Sequence, residues 1–355
     1  MKKRSLFAAA VAATASAVLL AGCSSPASDP APTDGSGSVE LTKDVTLVVG
    51  TSNQEGAFFE ESGLFEDVPY TIEWSYITDW GAIYSSIASD ALNVGYWGLD
   101  SNAVKAVQNG VGAKFVSLLG AQDEAAAESG TLNVFVRSDA GIETTADLAG
   151  AKIATGSAGT TFDNILNGAL LDGGLSEDDV EVIRYPDADQ TSQISALLNG
   201  EVEAFAGNIA SEQIVGALED GTIEVLFWEN QFSPVNRLVV SNEQTLSDPA
   251  KEAALEDFVQ RVAETAYWKA DPANEQTYAE ILNSVGNLPV DVGQKVWGYT
   301  QNATLPLQLD ATTEQNLAQT IADYQAAGYI DEPLPVEEIL DTRFADAVAE
   351  VIGAH

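Results

Sequence analysis

The sequence predicts an α/β protein made of two similar halves, and three observations support this fold class. Short β-type runs alternate with helical patterns, which favours largely parallel sheets. A pattern of helix, tight turn, strand, glycine-containing loop, helix and strand occurs twice. The roughly 310 residues that follow the N-terminal segments exceed the size at which one core usually keeps growing.

The two copies of the pattern can be aligned residue by residue. Ile87–Val94 matches Leu197–Ala204 at an offset of 110 residues, and Gly112–Val116 matches Gly221–Val225 at an offset of 109. Two similar α/β lobes in one chain predict a cleft between them, where ligands of such folds usually bind.

In the first copy, buried-type β runs and helical periodicity alternate. Gly50 ends the first strand, and Gly63 stands where a C′ glycine closes the first helix. Strands are predicted over Val45–Val49, Tyr70–Tyr76, Ala91–Tyr96 and Phe115–Leu119, with helices over Glu55–Ser62 and Ser101–Gln108.

The second copy begins at a turn into a strand, Asp147–Ala154. Strands are then predicted over Val180–Tyr185, Val202–Ala206, Ile223–Phe227 and Leu238–Val240, with helices over Phe162–Leu171, Thr191–Leu198 and Glu212–Leu218. From there to its end the chain is predicted to be mainly helical.

Residues 1–22 are predicted to be a lipoprotein signal peptide. Three basic residues (Lys2, Lys3 and Arg4) precede the apolar run Leu6–Leu20, which has the length of a signal-peptide core and is short for a membrane span. Leu20–Cys23 resembles the bacterial lipobox, in which the cysteine is lipidated; an ordinary secretory cleavage site is the alternative. Cys23 is the only cysteine of the chain, so no disulfide or thiolate metal site is predicted.

Residues 23–43 are predicted to be the lipidated cysteine and a flexible linker, since Ser24–Ser38 contains only Ser, Pro, Ala, Asp, Gly and Thr. No later stretch approaches membrane-spanning length, which predicts a soluble domain outside the membrane. Without its signal peptide the chain keeps 12 basic and 54 acidic residues, a net charge of −42. Such a surface repels nucleic acid and anionic lipid.

Several segments resemble the solute-binding proteins for aliphatic sulfonates, taurine and nitrate. These segments follow one another in the family's order and are Phe58–Phe65, Leu92–Asp100, Ala146–Ala154, Gly156–Thr160, Ala196–Ala206 and Ala326–Ile330. The resemblance implies a two-lobed type II periplasmic-binding-protein fold with a ligand cleft and two crossover strands, Leu132–Arg137 and Arg237–Val240. Lobe one would comprise residues 44–137 and 236–355, and lobe two residues 138–235.

The family's function is the capture of a small organic anion by lobe closure, on the extracytoplasmic face of the membrane, for an ABC permease and its ATPase. The resemblance therefore implies a monomeric, lipid-anchored importer subunit. Two departures leave the ligand open. Gly207–Ala210 replaces a frequent Trp-Asp/Glu-Pro element, and Thr160–Phe162 replaces a frequent histidine or tyrosine. Nitrate, an aromatic or heterocyclic nutrient, and a sensor role remain alternatives.

Four loops that lead into helix N-termini carry the free backbone N–H groups and hydroxyls that an oxyanion needs. Ser52, Ser157 and Thr160 are the strongest candidates, since their loops follow strand ends facing the predicted cleft. Each could instead be a helix N-cap, which is the preferred interpretation for Asp100 and Asp189. The candidate loop residues are Ser52, Asn53, Gly98, Ser157, Gly159, Thr160 and Thr161.

Side chains outside these loops complete the predicted site. Trp80 and Trp97 stand beside glycines at strand ends and suit an apolar ligand body, although core packing is the alternative. Arg237 begins the second crossover strand and could bind an anionic group or form a hinge ion pair. The family resemblance adds Asn208. Trp228, Trp268 and Trp297 are interpreted as packing residues.

An enzymatic function is disfavoured because the side chains that catalysis most often uses are scarce in this sequence. The only histidine is the terminal His355, which excludes histidine triads and histidine metal sites. The lone cysteine is assigned to the anchor. No cofactor and no metal are predicted.

Overall fold

The computed structural model describes residues 40–77, 80–186, 189–332 and 334–355, and of Trp80, Gly81 and Ala82 only the backbone. The predicted signal peptide, Cys23 and most of the linker lie outside the described residues. In chain order the strands are β1 (Thr46–Thr51), β2 (Thr71–Tyr76), β3 (Val94–Gly98), β4 (Ala113–Gly120), β5 (Leu132–Arg137), β6 (Lys152–Thr155), β7 (Glu181–Arg184), β8 (Ala204–Asn208), β9 (Ile223–Trp228), β10 (Val235–Asn242) and β11 (Leu305–Pro306).

Helices follow most strands up to β10 and dominate the chain thereafter, as the sequence predicts; β4, β5 and β6 follow one another without an α-helix between them. They are α1 (Asn53–Glu61), α2 (Trp80–Ala88), α3 (Ser101–Gln108), α4 (Thr161–Asp172), α5 (Gln190–Leu198), α6 (Glu212–Glu219), α7 (Glu229–Phe232), α8 (Glu243–Ser247), α9 (Pro249–Ala270), α10 (Glu275–Gly286), α11 (Val290–Thr300), α12 (Ala311–Ala326), α13 (Val336–Ile339) and α14 (Ala345–Ala354). In the described part of the chain, no helix has both the length and the apolar character that a membrane span requires.

The strands form two sheets with the same internal order. The first sheet runs β11-β4-β10-β3-β1-β2 and the second β7-β6-β8-β5-β9. In each, an antiparallel strand lies inside a parallel set: β10 lies between β3 and β4, and β5 lies between β8 and β9. The first sheet also has the short edge strand β11, antiparallel to β4. The repeat seen in the sequence is therefore a repeat of topology, since β8 starts 110 residues after β3 and β9 starts 110 after β4.

Alternating side chains place an apolar layer on both faces of each sheet, as expected for sheets covered by helices. Leu47 and Val49 of β1 point to one face and the intervening Val48 to the other. On β5, Val134 and Val136 belong to one apolar cluster and Phe135 to another. The central strands of both sheets are thus buried on both faces, while the edge strands β2 and β7 are partly exposed.

The two predicted crossover strands each belong wholly to one sheet. Leu132 to Val136 pair with β8 from Asn208 to Ala204, so β5 lies in the second sheet and not in the first. The chain passes from the first sheet to the second between Gly120 and Leu132, and returns between Trp228 and Val235. The boundary predicted after Arg137 therefore falls too late, because the whole ladder of β5 is formed with second-sheet strands.

The folded part also begins slightly before the predicted end of the linker at residue 43. Leu41 packs against the apolar cluster that contains Leu47. Lys43 donates hydrogen bonds from Nζ to the carbonyl oxygens of Val68 and Tyr70, the latter at 3.0 Å. These contacts attach residues 41–43 to the first sheet.

Helices α10 and α11 connect the two halves of the molecule. Tyr278 of α10 packs against Phe58 of α1, with ring centroids 4.8 Å apart. On the other side, Lys295 of α11 donates a hydrogen bond to Glu219 of α6 at 2.7 Å. The helix pair therefore contacts a helix that follows a first-sheet strand and one that follows a second-sheet strand.

Candidate functional site

A cavity of about 590 Å³ lies between the carboxyl ends of strands from both sheets. Its wall contains Ser52 directly after β1, Gly98 at the end of β3, Ser157 after β6 and Asn208 at the end of β8. The carboxyl ends of parallel strands meet at one edge of a sheet, and two such edges face one another here. The position is that of the cleft predicted from the repeat.

Arg237 is the central cation of the cavity wall. Its Nη1 donates to Oε1 of Glu229 at 3.3 Å and to the carbonyl oxygen of Asn236 at 2.9 Å. Its Nε and Nη2 donors have no hydrogen-bond partner among the described residues. One edge of the guanidinium is therefore fixed by the protein, and the other can donate two hydrogen bonds to a planar pair of ligand oxygens.

Glu229 holds this arginine in place and joins it to the first crossover. The Oε2 atom of Glu229 accepts hydrogen bonds from the backbone N–H groups of Thr131 at 3.0 Å and Leu132 at 3.3 Å. Burial lowers the pKa of Arg237, but the charges of Glu229 and Glu55 more than offset this, and the pKa is raised from its ordinary value. Arg237 thus remains charged although its side chain is only 15% exposed.

A second cation, Lys269 of α9, stands in the same wall. Its Nζ donates to Oε2 of Glu55 at 3.0 Å and lies 5.1 Å from the centroid of the Phe58 ring. Glu55 lies in the first turn of α1, where Ser52 caps the helix by accepting the N–H of Glu55 at 3.1 Å. Among the described wall residues, Arg237 and Lys269 are the cations and Glu55 is the anion.

Aromatic rings form much of the remaining wall. Phe58, Tyr96, Trp97, Phe162 and Tyr278 line the cavity. Burial raises the pKa of Tyr278 to about 12; a hydrogen bond with Thr300 opposes this, Glu55 raises the value further and Arg237 lowers it. The phenol therefore stays neutral near the charged groups, so the cavity combines a few charges with broad apolar surfaces.

The second sheet contributes uncharged polar groups to the wall: Ser157, Thr161, Gln190 and Asn208. The Oδ1 atom of Asn208 accepts the backbone N–H of Ala210 at 2.7 Å. A Cβ built on Gly98 would lie 3.2 Å from Cγ2 of Thr161 and 3.6 Å from Nη1 of Arg237. Gly98 thus permits the close approach of a second-sheet residue to the arginine.

Hydrogen bonds join the two halves at one rim of the cavity. At the start of α3, Ser101 donates its backbone N–H to Oδ1 of Asn164 at 2.8 Å and its hydroxyl to the carbonyl oxygen of Gly159 at 3.1 Å. Asn102 donates to the same carbonyl oxygen at 2.8 Å. The rim is therefore closed here by contacts between α3 and the loop that begins α4.

The structure brings together seven of the residues predicted for the site. Those in the cavity wall are Ser52, Trp97, Gly98, Ser157, Thr161, Asn208 and Arg237. For Trp97 and Arg237 the structure supports the packing and ion-pair interpretations and also places both residues in the cavity wall. Trp97 is 3% exposed within an apolar cluster, and Arg237 forms an ion pair, yet both line the cavity.

Three predicted residues are placed elsewhere. Asn53 is exposed on the first turn of α1, because the turn that points Gln54 and Glu55 into the cavity directs Asn53 outward. Gly159 lies in the rim contact. Thr160 precedes α4, and its hydroxyl donates a hydrogen bond to the carbonyl oxygen of Ser157 at 2.7 Å. These three residues therefore do not line the cavity. The side chain of Trp80 and all of Cys23 lie outside the described residues.

The other interpretations of polar and aromatic residues can also be compared with the structure. Asp100 and Asp189 are helix N-caps, accepting the N–H groups of Ala103 at 2.8 Å and Ser192 at 3.3 Å, as predicted. Asp187 and Ala188 of the same loop lie outside the described residues. Trp228, Trp268 and Trp297 pack in or against one apolar cluster, also as predicted.

Several wall residues were missed by sequence reasoning. Glu55 directly follows the candidate loop of residues 51–54, so the signal that found Ser52 could have been extended by one residue. Lys269 and Tyr278 belong to helices for which the sequence predicted only helical structure, and no local motif marks them. In the described ranges, no group of three or more His, Cys, Asp or Glu side chains could hold a metal ion.

Comparisons with known proteins place this geometry in a family. Residues 94–274 match the family described as NMT1/THI5 like. A search of curated proteins finds no significant match. Among solved structures, the periplasmic aliphatic sulphonate binding protein SsuA from Escherichia coli is similar with a TM-score of 0.67 and 17% identity, over 84% of this chain and 92% of that one.

Two further structures share the fold. The periplasmic nitrate-binding protein NrtA from Synechocystis PCC 6803 aligns with a TM-score of 0.60 and 13% identity, over 88% of this chain and 89% of that one. The desulfurization enzyme DSZB aligns with a TM-score of 0.61 and 15% identity, over 87% of this chain and 99% of that one. The two-sheet α/β fold predicted from the sequence is confirmed by these likenesses. With a family match that covers half of its length, the chain belongs to the NMT1/THI5-like family.

Proposed function

We propose that this protein is the extracytoplasmic solute-binding lipoprotein of an ABC importer and captures a small organic anion, such as a sulfonate, by closure of two lobes. The observation that carries the proposal is Arg237: a buried, charged guanidinium with unused donors in the cavity between the two sheets. The mature chain has a net charge of −42 and only 12 basic residues, yet two of these, Arg237 and Lys269, line this one cavity.

The solved relatives support binding of an oxyanion, since one is a sulphonate-binding protein and another a nitrate-binding protein. The resemblance in sequence motifs points the same way. Lobe closure would take place about the two passages between the sheets, residues 121–131 and 229–234. Glu229 lies in the second passage and contacts the first, so closure would bring the Arg237 site and the neutral donors of the second sheet together.

Binding without catalysis fits the residues of the wall better than an enzymatic reaction. DSZB, an enzyme of the same fold, has been solved with biphenyl-2-sulfinic acid as a mutant in which serine replaces a cysteine. In this chain no described wall residue is a cysteine or a histidine. His355 pairs with Glu264 and stacks on Tyr267 at the end of α14. The cavity therefore offers charge recognition and shape, and its described wall holds no thiol or imidazole for catalysis.

Titration calorimetry with sulfonates tests the proposed function. We expect at least one monoanionic sulfonate to bind with 1:1 stoichiometry, and its uncharged sulfonamide analogue to bind more weakly. A ligand at 100 times its dissociation constant should stabilise the fold by about 2.7 kcal/mol, which thermal unfolding can detect. Equal binding of the neutral analogue, or no binding of any anion, would count against the proposal.

The lipid anchor is tested separately. We expect Cys23→Ser to release the protein from the membrane or to leave the precursor uncleaved, because the sequence has no other cysteine to accept the lipid. Metabolic labelling with a fatty-acid analogue, followed by membrane fractionation, measures both effects. Ser24→Ala serves as the matched control and should remain labelled. Labelling of the Cys23→Ser variant at the level of the unmodified protein would exclude lipidation at this site.

A further inference from the structure

The size of the cavity restricts the ligand beyond its charge. A volume of about 590 Å³ corresponds to roughly 20 water molecules at about 30 Å³ each. Ligand sites of this size typically enclose drug-sized molecules. This space is partly open to solvent, and Ser101 and Asn102 contact Gly159 and Asn164 beside it. An anion of three or four heavy atoms would leave most of it to solvent.

The wall chemistry indicates what fills the remaining space. Phe58 and Tyr278 lie with their ring planes tilted by 30°, and both are nearly fully buried. Tyr96, Trp97 and Phe162 contribute further ring surfaces. Aliphatic side chains between them add more apolar wall, namely Leu132, Leu282 and Val296. Each of these rings is at most 9% exposed, so they form a packed apolar lining that favours an apolar group over a polar one.

The charged groups lie among the aromatic rings, since Lys269 Nζ is 5.1 Å from the centroid of the Phe58 ring and Glu55 lies on the same helix as Phe58. Arg237, Lys269 and Glu55 all belong to elements that accompany the first sheet, and the second sheet adds only neutral polar and apolar groups. Arg237 has one free edge, with Nε and Nη2 available. This arrangement matches a molecule with one anionic end and one bulky apolar body.

Resting on the proposed function, we infer that the ligand is an organic acid that carries at least one six-membered ring. Its anionic group binds the free edge of Arg237, and its ring occupies the apolar part of the cavity beside Phe58, Tyr278 and Trp97. The neutral polar groups of the second sheet then meet substituents of the ring.

A panel of named probes tests this inference by calorimetry on the purified full chain: nitrate, methanesulfonate, benzenesulfonate, naphthalene-2-sulfonate and the neutral benzenesulfonamide. We expect benzenesulfonate to bind at least about 30-fold more tightly than methanesulfonate, given the apolar area of a phenyl ring. Naphthalene-2-sulfonate should bind at least as tightly as benzenesulfonate. Benzenesulfonamide should bind more weakly than benzenesulfonate, since it lacks the charge.

A variant that reduces the cavity provides an independent test. Ala210 lies in the wall two residues after the end of β8 and is half-buried, so Ala210→Phe inserts a ring into the space. We expect it to weaken naphthalene-2-sulfonate binding by at least about 10-fold and methanesulfonate binding by a smaller factor. Ala149→Phe is the matched control at an exposed alanine outside the wall and should leave both affinities within about twofold. The thermal unfolding midpoint verifies that each variant is folded.

The outcomes separate this inference from the proposed function. If nitrate or methanesulfonate binds as tightly as benzenesulfonate, the ring-bearing ligand class is wrong, while anion capture stands. If folded Ala210→Phe binds naphthalene-2-sulfonate like the unmodified protein, the ring does not occupy the cavity and the inference is also overturned. If no anion of the panel binds, both the inference and the proposed function fail.

Discussion

Replacing Arg237 with methionine is expected to weaken binding of the tightest sulfonate in the panel by at least about 100-fold. The free guanidinium edge can donate two hydrogen bonds to a charged ligand, and each such bond is worth about 1.5–3 kcal/mol. The effect should be larger than for a surface arginine, because the Arg237 side chain is only 15% exposed and its ion pair is shielded from solvent. Calorimetry with the folded variant measures the dissociation constant.

Two controls make this result specific. Arg343→Met also removes one positive charge, but its arginine pairs with Asp341 and Glu252 outside the cavity, so the sulfonate affinity should change by less than about twofold. Arg237→Lys keeps the charge and loses the planar pair of donors, and should give an intermediate affinity. An unchanged affinity in Arg237→Met would show that the anionic group binds elsewhere, with Lys269 as the next residue to replace.

The fold could be predicted from the sequence because its signals are local. The strand runs and the repeat at an offset of 110 residues predict two units of the same topology, and the two observed sheets have the same strand order. Predicted strand boundaries were wrong where tertiary contacts outweigh the local sequence pattern. Strand β3 begins at Val94 although the apolar run starts at Ala91, because Asp90 adopts a left-handed turn with φ of 58° and the Oδ1 atom of Asn93 accepts the N–H of Val48.

The candidate site could be predicted only where its residues follow strand ends. Ser52, Gly98, Ser157 and Asn208 lie at such positions, and the topology of parallel sheets brings them to one place. Lys269 reaches the cavity from the last turn of a 22-residue helix. Which helical residue faces a cavity depends on how the helix packs against a distant one. The ion pair between Arg237 and Glu229 likewise depends on how the two segments that connect the sheets pack against each other.

The second large effect that we expect is on stability and concerns Asp163, in the first turn of α4. Its side chain is fully buried, with an exposure of 0%, and it accepts hydrogen bonds from Arg184, from the hydroxyl of Tyr329 and from the N–H of Gly159. Burial raises the pKa of Asp163, and these three partners offset this only in part. The carboxylate therefore connects the rim loop to Arg184 beside it and to Tyr329 near the C-terminus.

Asp163→Ala is expected to lower the free energy of unfolding by about 3–5 kcal/mol, the range for removing one partner of a buried ion pair. The loss arises because the Tyr329 hydroxyl and the Gly159 N–H lose their carboxylate acceptor, and Arg184 keeps only its contacts with Glu177 and the Gly156 carbonyl oxygen. The matched control is Asp139→Ala, which breaks the ion pair between Asp139 and Arg137.

In that pair the Asp139 side chain is 72% exposed, and exposed ion pairs contribute little to stability. Guanidinium unfolding curves distinguish the two variants, since a change in stability moves the midpoint while the slope is kept. Should Asp163→Ala unfold at the same midpoint as Asp139→Ala, the buried network would contribute no more than a surface ion pair, and the rim loop would have to be held by the contacts of Ser101 and Asn102 alone.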